Sequence, residues 1–389
     1  MSGATPHCAV GSRPAPPDSR GQESAARNRA CSGAAAAGRL SSMGELTDRR
    51  ISRVSFRDGT DVELRALHAV EAPIAAERGS NRMPQPLESY IAYARNLPSQ
   101  FDDHAWLVET SDGSPIAAAF CWSNSAGDER VMECDVLVRS DRRREGIGSR
   151  LVNAICVQTA AEGRSRLTWS TFDTVPAGDA FSRRIGASVA RVNRRSELAM
   201  SEVDWAMIGE WASAERPRDL GYSLEMVDGV FPERLRGDAA AFHHIMQTAP
   251  RDALDIDDVI IDEAFVAELD EALVQSGRAR WTLFLRDPSG TCVGGTEVTF
   301  EPEDPTTVLQ ENTGVDPAHR RLGLARWAKA AMLERLRDER PDARSIRTDN
   351  AFSNAPMLAI NDALGFRLVS TRTEWQAEVD QVLDGPRLT

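Results

Sequence analysis

Two six-residue stretches are places where the main chain itself could do chemistry: Arg143, Arg144, Glu145, Gly146, Ile147, Gly148 and, 177 positions later, Arg320, Arg321, Leu322, Gly323, Leu324, Ala325. Each reads Arg-x-x-Gly-x-(Gly/Ala). Gly146 and Gly323 remove the side chain that would block approach to the backbone, while Gly148 and Ala325 keep the following helix start narrow. A small-residue turn between a strand and a helix leaves successive N–H groups uncovered at the positive end of the helix dipole, an arrangement that holds a pyrophosphate. The paired arginines add charge beside it. One such hexapeptide alone would favour a solvated helix start. Two in register, each behind a strand-like run ending at Val138 or Val315, point to a diphosphate site written twice.

The elements that must position these turns also repeat. In the first copy, alternation over 61–65 predicts a strand and 84–97 a helix. The runs 105–108 and 116–120 flank Ser111, Asp112 and Gly113, a hairpin signal. Val131–Val138 reads as the strand before the turn, and Ile147, Leu151 and Ile155 mark one buried stripe of the helix after it. A strand over 166–169, a helix over 179–184 and a strand around 197–200 close the copy. The second copy runs through a strand at 224–227, a helix over Glu263–Gln275 and a hairpin of 281–285 with 292–300. A strand over 307–315 leads into the turn, and Leu324, Ala328, Met332 and Leu336 line one face of the next helix. Ile346 to Thr348, a helix over Ala355–Leu364 and a strand through Trp375 complete it. The expected organisation is a tail over 1–48, a first domain over 49–202, a helix-plus-linker over 203–220 and a second domain over 221–389. Hairpins combined with one strand-helix-strand crossover give an α+β class.

With these motifs the chain resembles a tandem acetyltransferase of the GNAT superfamily, over roughly 50–200 and 222–378. The second copy carries the fuller match: Thr313, Gly314, Val315, Asp316, Pro317, Ala318 and His319 precede its turn, and Asn350, Asn354, Leu364, Gly365 and Phe366 follow. The resemblance implies a mixed, mostly antiparallel sheet splayed open where acetyl-coenzyme A inserts. Val315, Arg320, Arg321, Gly323, Leu324 and Ala325, and in the first copy Val138, Arg143, Gly146 and Gly148, would then contact the pyrophosphate. It also implies that Asn354 meets the pantetheine arm, and that Asn361 stands where the family often places a tyrosine that protonates the departing thiolate. An amide cannot act as an acid, though it can hydrogen-bond sulfur. The alternative for Asn350 and Asn354 is capping of the last helix. The first copy has Val175 and Ser182 at the positions of Asn354 and Asn361, so the chemistry is expected in the second.

Acyl transfer to an amine needs a base for the amine proton and an N–H donor for the developing oxyanion. Glu311, on the strand before the turn, is the candidate base and Glu297 on the neighbouring strand the second. Strand glutamates commonly face solvent. Backbone near Gly314 and Val315 is the expected oxyanion donor. His319 is expected on the phosphate side or in solvent. His243 and His244 are adjacent on a helix-like segment and make a poor metal site, so no metal is expected. Lys329, the chain's only lysine against 45 arginines, is expected at the surface, with reach to a ribose phosphate as the alternative.

A formal charge of −13 over 389 residues argues against a nucleic-acid surface and would favour a cationic amine. Cys8, Cys31, Cys121, Cys134, Cys156 and Cys292 show neither disulfide-framework nor metal-ligand spacing, which fits a cytoplasmic setting. No apolar run of about 18 residues predicts a membrane span. Poor in large apolar groups, the tail reads as disordered; an over-extended start with translation from Met43, or a transit peptide, are the alternatives. The leading functional expectation is an acetyl-coenzyme A dependent N-acetyltransferase of a small amine, in a monomer or homodimer. A non-catalytic acyl-coenzyme A binding module and a protein or peptide acetyltransferase are the alternatives.

Overall fold

The computed structural model describes residues 49–79, 86–301 and 304–385. The expected tail over 1–48 lies outside the described residues, as do the first two positions of the helix expected over 84–97. The first half contains β1 (Arg49–Val54), α1 (Asp61–Glu77), α2 (Leu87–Arg95), β2 (Phe101–Thr110), β3 (Pro115–Asn124) and β4 (Val131–Val138). After the first turn come α3 (Ile147–Ala161), β5 (Arg166–Phe172), α4 (Pro176–Arg184) and β6 (Ser188–Ala199). Two helices, α5 (Trp205–Ser213) and α6 (Glu215–Asp219), lead into the second half. That half repeats the order with β7 (Ser223–Asp228), α7 (Glu233–Met246), α8 (Glu263–Gln275), β8 (Ala279–Arg286), β9 (Cys292–Glu301) and β10 (Asp304–Val315). It ends with α9 (Leu324–Glu339), β11 (Ser345–Ala351), α10 (Ala355–Leu364), β12 (Arg367–Glu378) and α11 (Val379–Asp384).

The strand expected over 61–65 is instead the start of α1. Thr60 accepts from the Glu63 N–H while the Glu63 carboxylate accepts from the Thr60 N–H at 2.8 Å, a reciprocal cap that commits the chain to a helix. Leu64, Leu67, Val70 and Ile74 then bury the inner face. The opening strand lies upstream at β1, matching β7 in the second half. The segment over 203–220 holds α5 and α6 and is packed: Ile208 is buried with Trp327, Met332 and Leu336 of α9 in one apolar cluster.

All twelve strands form one sheet in the order β1-β2-β3-β4-β5-β12-β6-β11-β10-β9-β8-β7. Interchanging the halves and reading from the other end gives the same order, so a pseudo-twofold relation runs between β6 and β12. The final strands are exchanged. β12, from the second half, pairs antiparallel with β5 from Arg372↔Phe172 to Glu378↔Arg166, and β6 pairs with β11 from Ser345↔Ala199 to Ala351↔Asn193. Trp375 of β12 is buried in the first half, where its Nε1 donates to Thr171 Oγ1 at 2.7 Å and Arg183 of α4 lies over its ring. Every other junction is antiparallel except β4–β5 and β10–β11. Those two parallel pairs match for only three residues, Val131 to Glu133 against Arg166 to Thr168 and Thr307 to Leu309 against Ser345 to Arg347, before the strands diverge. Each divergence leaves a V-shaped gap whose mouth faces one of the turns.

Because β12 completes the first half's sheet, truncating its central side chain should weaken both halves at once. Trp375→Ala is expected to cost about 3–5 kcal/mol while leaving a single unfolding transition in urea. Two separated transitions would show instead that the halves unfold independently.

Candidate active site

The two turns have the same backbone. Arg144 and Gly146 have φ of 70° and 78°, and Arg321 and Gly323 have 66° and 86°, in each case with an ordinary residue between them. Alternating the sign of φ makes successive N–H groups converge on one concavity, an anion-binding nest. The helices that follow, α3 and α9, begin at these glycines with no side-chain cap on their free N–H groups. A Cβ built at either glycine would meet nothing within 4 Å, so the space above each turn is open. The first Arg of each motif does a different job from the one its sequence position suggests. Arg320 donates from Nε to Val315 O at 2.9 Å and from its terminal nitrogen to Thr248 Oγ1 at 2.6 Å, pinning the turn to the strand end and to the segment after α7. Arg143 does the same with Val138 O and the Glu77 carboxylate of α1. Arg144 and Arg321 remain exposed on the turns. At the first turn Glu145 pairs with Arg49, where the second has the apolar Leu322.

Behind each turn lies a cleft running into the V. The second has a volume of about 730 Å³ and the first about 430 Å³. Val315, Arg320, Arg321, Gly323, Leu324, Ala325, Asn354 and Glu311 all line the second, and Val138, Arg143, Gly146 and Gly148 line the first. The exchange makes the second cleft composite, since Arg191 and Asn193 of β6 form part of its wall. Both bind the Glu374 carboxylate of β12, Arg191 through two bonds of 3.0 Å and Asn193 at 2.8 Å.

The strands before the turns differ. β4 pairs with β3 in unbroken register from Glu133 to Val138, with Asp135 opposite Phe120. In β10 the register shifts between Gln310 and Thr313, so that Glu311 and Asn312 together stand opposite the single Glu297. This is a β-bulge, which re-aims side chains and takes backbone groups out of the ladder. Glu311 accepts from Thr299 Oγ1 at 2.8 Å and faces the cleft. Glu297, the second candidate base, is buried against Thr282 and Arg280 and lies outside the cleft lining, and burial raises its pKa. In the first cleft, Asp135 is held by Arg78 in a two-pronged ion pair of 2.6 and 2.8 Å, and Arg78 also covers the Phe172 ring.

Asn354 caps α10, accepting from Met357 N at 3.4 Å, and also lines the cleft, so capping and cleft exposure coexist. Asn350 is not a cap: it sits in β11 and accepts from Asn361 Nδ2 at 2.7 Å. Asn361 is buried and stands behind the cleft wall, not among the residues lining it, and its Oδ1 has no partner. Ser182, its counterpart, bonds Trp169. His319 lines the second cleft near the turn, tied at 2.7 Å to Tyr222.

A sequence model of the acetyltransferase (GNAT) family matches residues 72–187. The chain carries a GNAT-family domain and has the tandem GNAT fold. It is 26% identical over 306 residues to a mycothiol acetyltransferase of Acidothermus cellulolyticus, covering 73% of this chain and 83% of the relative. Among solved structures, a tandem GNAT protein from the clavulanic acid biosynthesis pathway superposes with a TM-score of 0.68 at 23% identity, covering 85% of this chain and 98% of that one. A GCN5-related N-acetyltransferase from Sphaerobacter thermophilus gives 0.56 at 13%, covering 85% and 96%. At such identities the structural likenesses speak to the fold. No helix among the described residues is long and apolar enough to cross a membrane.

Within this GNAT frame, sequence reasoning misplaced one residue that the cleft brings forward. Lys329, expected at the surface, is 2% exposed and lines the second cleft. Its Nζ donates to Gln310 Oε1 at 3.2 Å and lies 5.6 Å from the centre of the Phe366 ring. Its place on the inward stripe of α9, one residue after Ala328, was the signal available. Burial pushes its pKa down from 10.5 to about 7. Because the folded-state pKa is the lower one, the unfolded chain binds the extra proton between pH 7 and 10.5, and stability rises with pH across that window. The cost of burying the ammonium, a few kcal/mol, is felt in full below pH 7. Lys329→Met should therefore be more stable than the parent by the largest margin near pH 6, with the margin shrinking toward pH 10. Denaturant midpoints across that range check it, and a pH-independent difference would contradict the assignment.

Proposed function

We propose that the protein is an acyl-coenzyme A dependent N-acyltransferase, with acetyl-coenzyme A as the simplest donor, and that turnover takes place in the second cleft on the amine of a small molecule. One observation carries this reading. An uncapped nest at the head of α9 opens onto a gap between diverging parallel strands, and the strand on one side of that gap is bulged at Glu311. The donor supplies an already activated acyl group. The protein's part is to place it beside the amine and to manage protons and charge.

In this reading the N–H groups around Leu322 to Ala325 bind the diphosphate, and Asn354 offers its side chain to the arm that enters the V. Backbone freed at the bulge, together with the strand near Gly314 and Val315, faces the developing oxyanion. Glu311, fixed by Thr299, takes the amine proton. The departing thiolate meets no tyrosine, because Asn361 occupies that position and is turned to Asn350. Carboxylates of Glu311 and Asp349 on the cleft wall suit a cationic acceptor. The name of the mycothiol acetyltransferase relative also supports a small-molecule acceptor.

The first cleft supports a different reading, coenzyme binding without turnover. Its nest is intact, but its strand has no bulge and Asp135 is consumed by Arg78. A peptide acceptor is the alternative at the second cleft, and thiol release with a panel of small amines and lysine peptides separates the two.

Gly323→Glu should leave the fold intact, since the new Cβ meets open space and the left-handed backbone costs only about 1–2 kcal/mol. It should abolish coenzyme A binding at the second cleft by placing a carboxylate in the nest. Unchanged calorimetric affinity there would refute the placement. For Glu311→Gln we expect turnover near neutral pH to fall roughly 10²-fold or more, with the loss shrinking above the pKa of the acceptor amine. A pH–rate profile that matches the parent would remove Glu311 as base.

A further inference from the structure

The pseudo-symmetry supplies an internal control for every residue of the two clefts, and at their inner ends the control fails. Where β4 leaves β5, the first cleft is lined by Cys134 and Val152, a buried thiol and an isopropyl group. Where β10 leaves β11, the same two positions are Gln310, which stands behind the cleft wall, and Lys329, which lines it. The last parallel pair is Leu309↔Arg347, so Gln310 is the first residue past the apex of the V. Thr348 of β11 closes the apex by donating to Gln310 O at 3.2 Å. The chain's only lysine thus lines the cleft and bonds the residue that stands just past the apex of the gap.

Among the described residues no carboxylate forms an ion pair with Lys329, and an ammonium has three donors to satisfy where one bond, to an amide oxygen, is made. The nearby acids face other partners. Glu297 accepts from Thr282 and forms an ion pair of 3.7 Å with Arg280, Glu311 accepts from Thr299, and Asp349 pairs with Arg195 at 3.4 Å. Gln310 is itself held by donating to Glu297 O and Thr296 Oγ1, so its Oε1 fixes the amine in place without offering charge. A buried amine with no counter-ion, in a cleft where the twin position is apolar, suits a ligand that brings the negative charge its ammonium form would need.

We propose that the inner end of the second cleft receives an acyl group that itself ends in a carboxylate, the monothioester of a short dicarboxylic acid, and that Lys329 Nζ is its counter-ion. This rests on the coenzyme A reading of the second cleft and deepens it by naming the acyl class. The transfer step keeps its balance: the new N–C bond forms as the C–S bond breaks, the thiolate leaves with coenzyme A, and the amine proton passes to the base. The distal carboxylate takes no part beyond binding. The first cleft, apolar at its apex, has no such preference.

The test is calorimetric titration with free coenzyme A, acetyl-coenzyme A, malonyl-coenzyme A and succinyl-coenzyme A at pH 8, in two buffers of different ionisation enthalpy. Lys329 is mostly uncharged at that pH, its pKa lying at about 7, so pairing with a carboxylate must draw a proton from the buffer. At least one of the two carboxylated donors should bind at least tenfold more tightly than acetyl-coenzyme A and take up close to one proton, whereas acetyl-coenzyme A should take up none. Lys329→Met should lose both the preference and the proton uptake while binding free coenzyme A as the parent does. Equal affinities for acetyl and carboxylated donors in the parent would overturn the inference alone, as would a preference that survives Lys329→Met. Failure of the parent to bind free coenzyme A would overturn the cofactor reading with it. The parent measurements decide the preference and the proton count without any variant having to fold.

Discussion

A parallel strand pair that separates after three residues leaves a row of backbone groups without partners, and the second cleft is organised around that separation. β10 and β11 cannot both diverge and remain in a stable sheet unless each is secured on its other side. β10 is secured by β9 and β11 by β6, and the second of these belongs to the first half of the chain. The gap therefore persists because the halves lend each other an edge. Without β6, β11 would be an exposed edge strand next to an opening, the arrangement most prone to collapse or to foreign pairing.

The same exchange explains why the clefts were able to diverge. Once the sheet is continuous, each half contributes to the other's stability whether or not its own cleft does chemistry. The first cleft has kept the turn, with its alternating φ and uncapped helix, and also the three-residue parallel pair. It lacks the extra residue that bulges β10, and the ion pair of Asp135 with Arg78 occupies the corresponding stretch of wall. A single inserted residue accounts for much of this difference. It shifts the register of β10 by one position and turns a paired strand into one with backbone and a carboxylate facing the opening.

How much of this was legible in the sequence follows from what is local. The turns were legible because glycine at a fixed offset from arginine, between a strand pattern and a helix pattern, is a local signature, and the structure gives both copies the same backbone. The splay followed from the resemblance. The strand exchange was not legible, because β6 and β12 each face a choice between two similar partners, and a hydrophobic alternation does not say which edge it joins. The stretch 61–65 misled for a related reason: five alternating residues fit both periods, and the reciprocal Thr60–Glu63 cap, visible three residues apart, was the deciding clue. The bulge was hidden inside an offset of 177 between the turns that is 176 for the strand residues before Glu311, a difference that shows only once the ladders are paired.

Arg320 and Lys329 show the limit in opposite directions. A basic residue beside an anion-binding turn invites the reading that it faces the anion, yet Arg320 spends its fork on Val315 O and Thr248, because a tight turn with two left-handed residues needs a rigid brace more than it needs another charge. Lysine on a helix invites the opposite reading, that its charge reaches water. The helix stripe places Lys329 inward regardless, and four methylenes on an apolar face carry the amine to the apex. Composition sharpens the point. In a chain that uses arginine for nearly every cationic task, a lysine stands where a compact amine able to exist uncharged fits and a planar, permanently charged guanidinium does not.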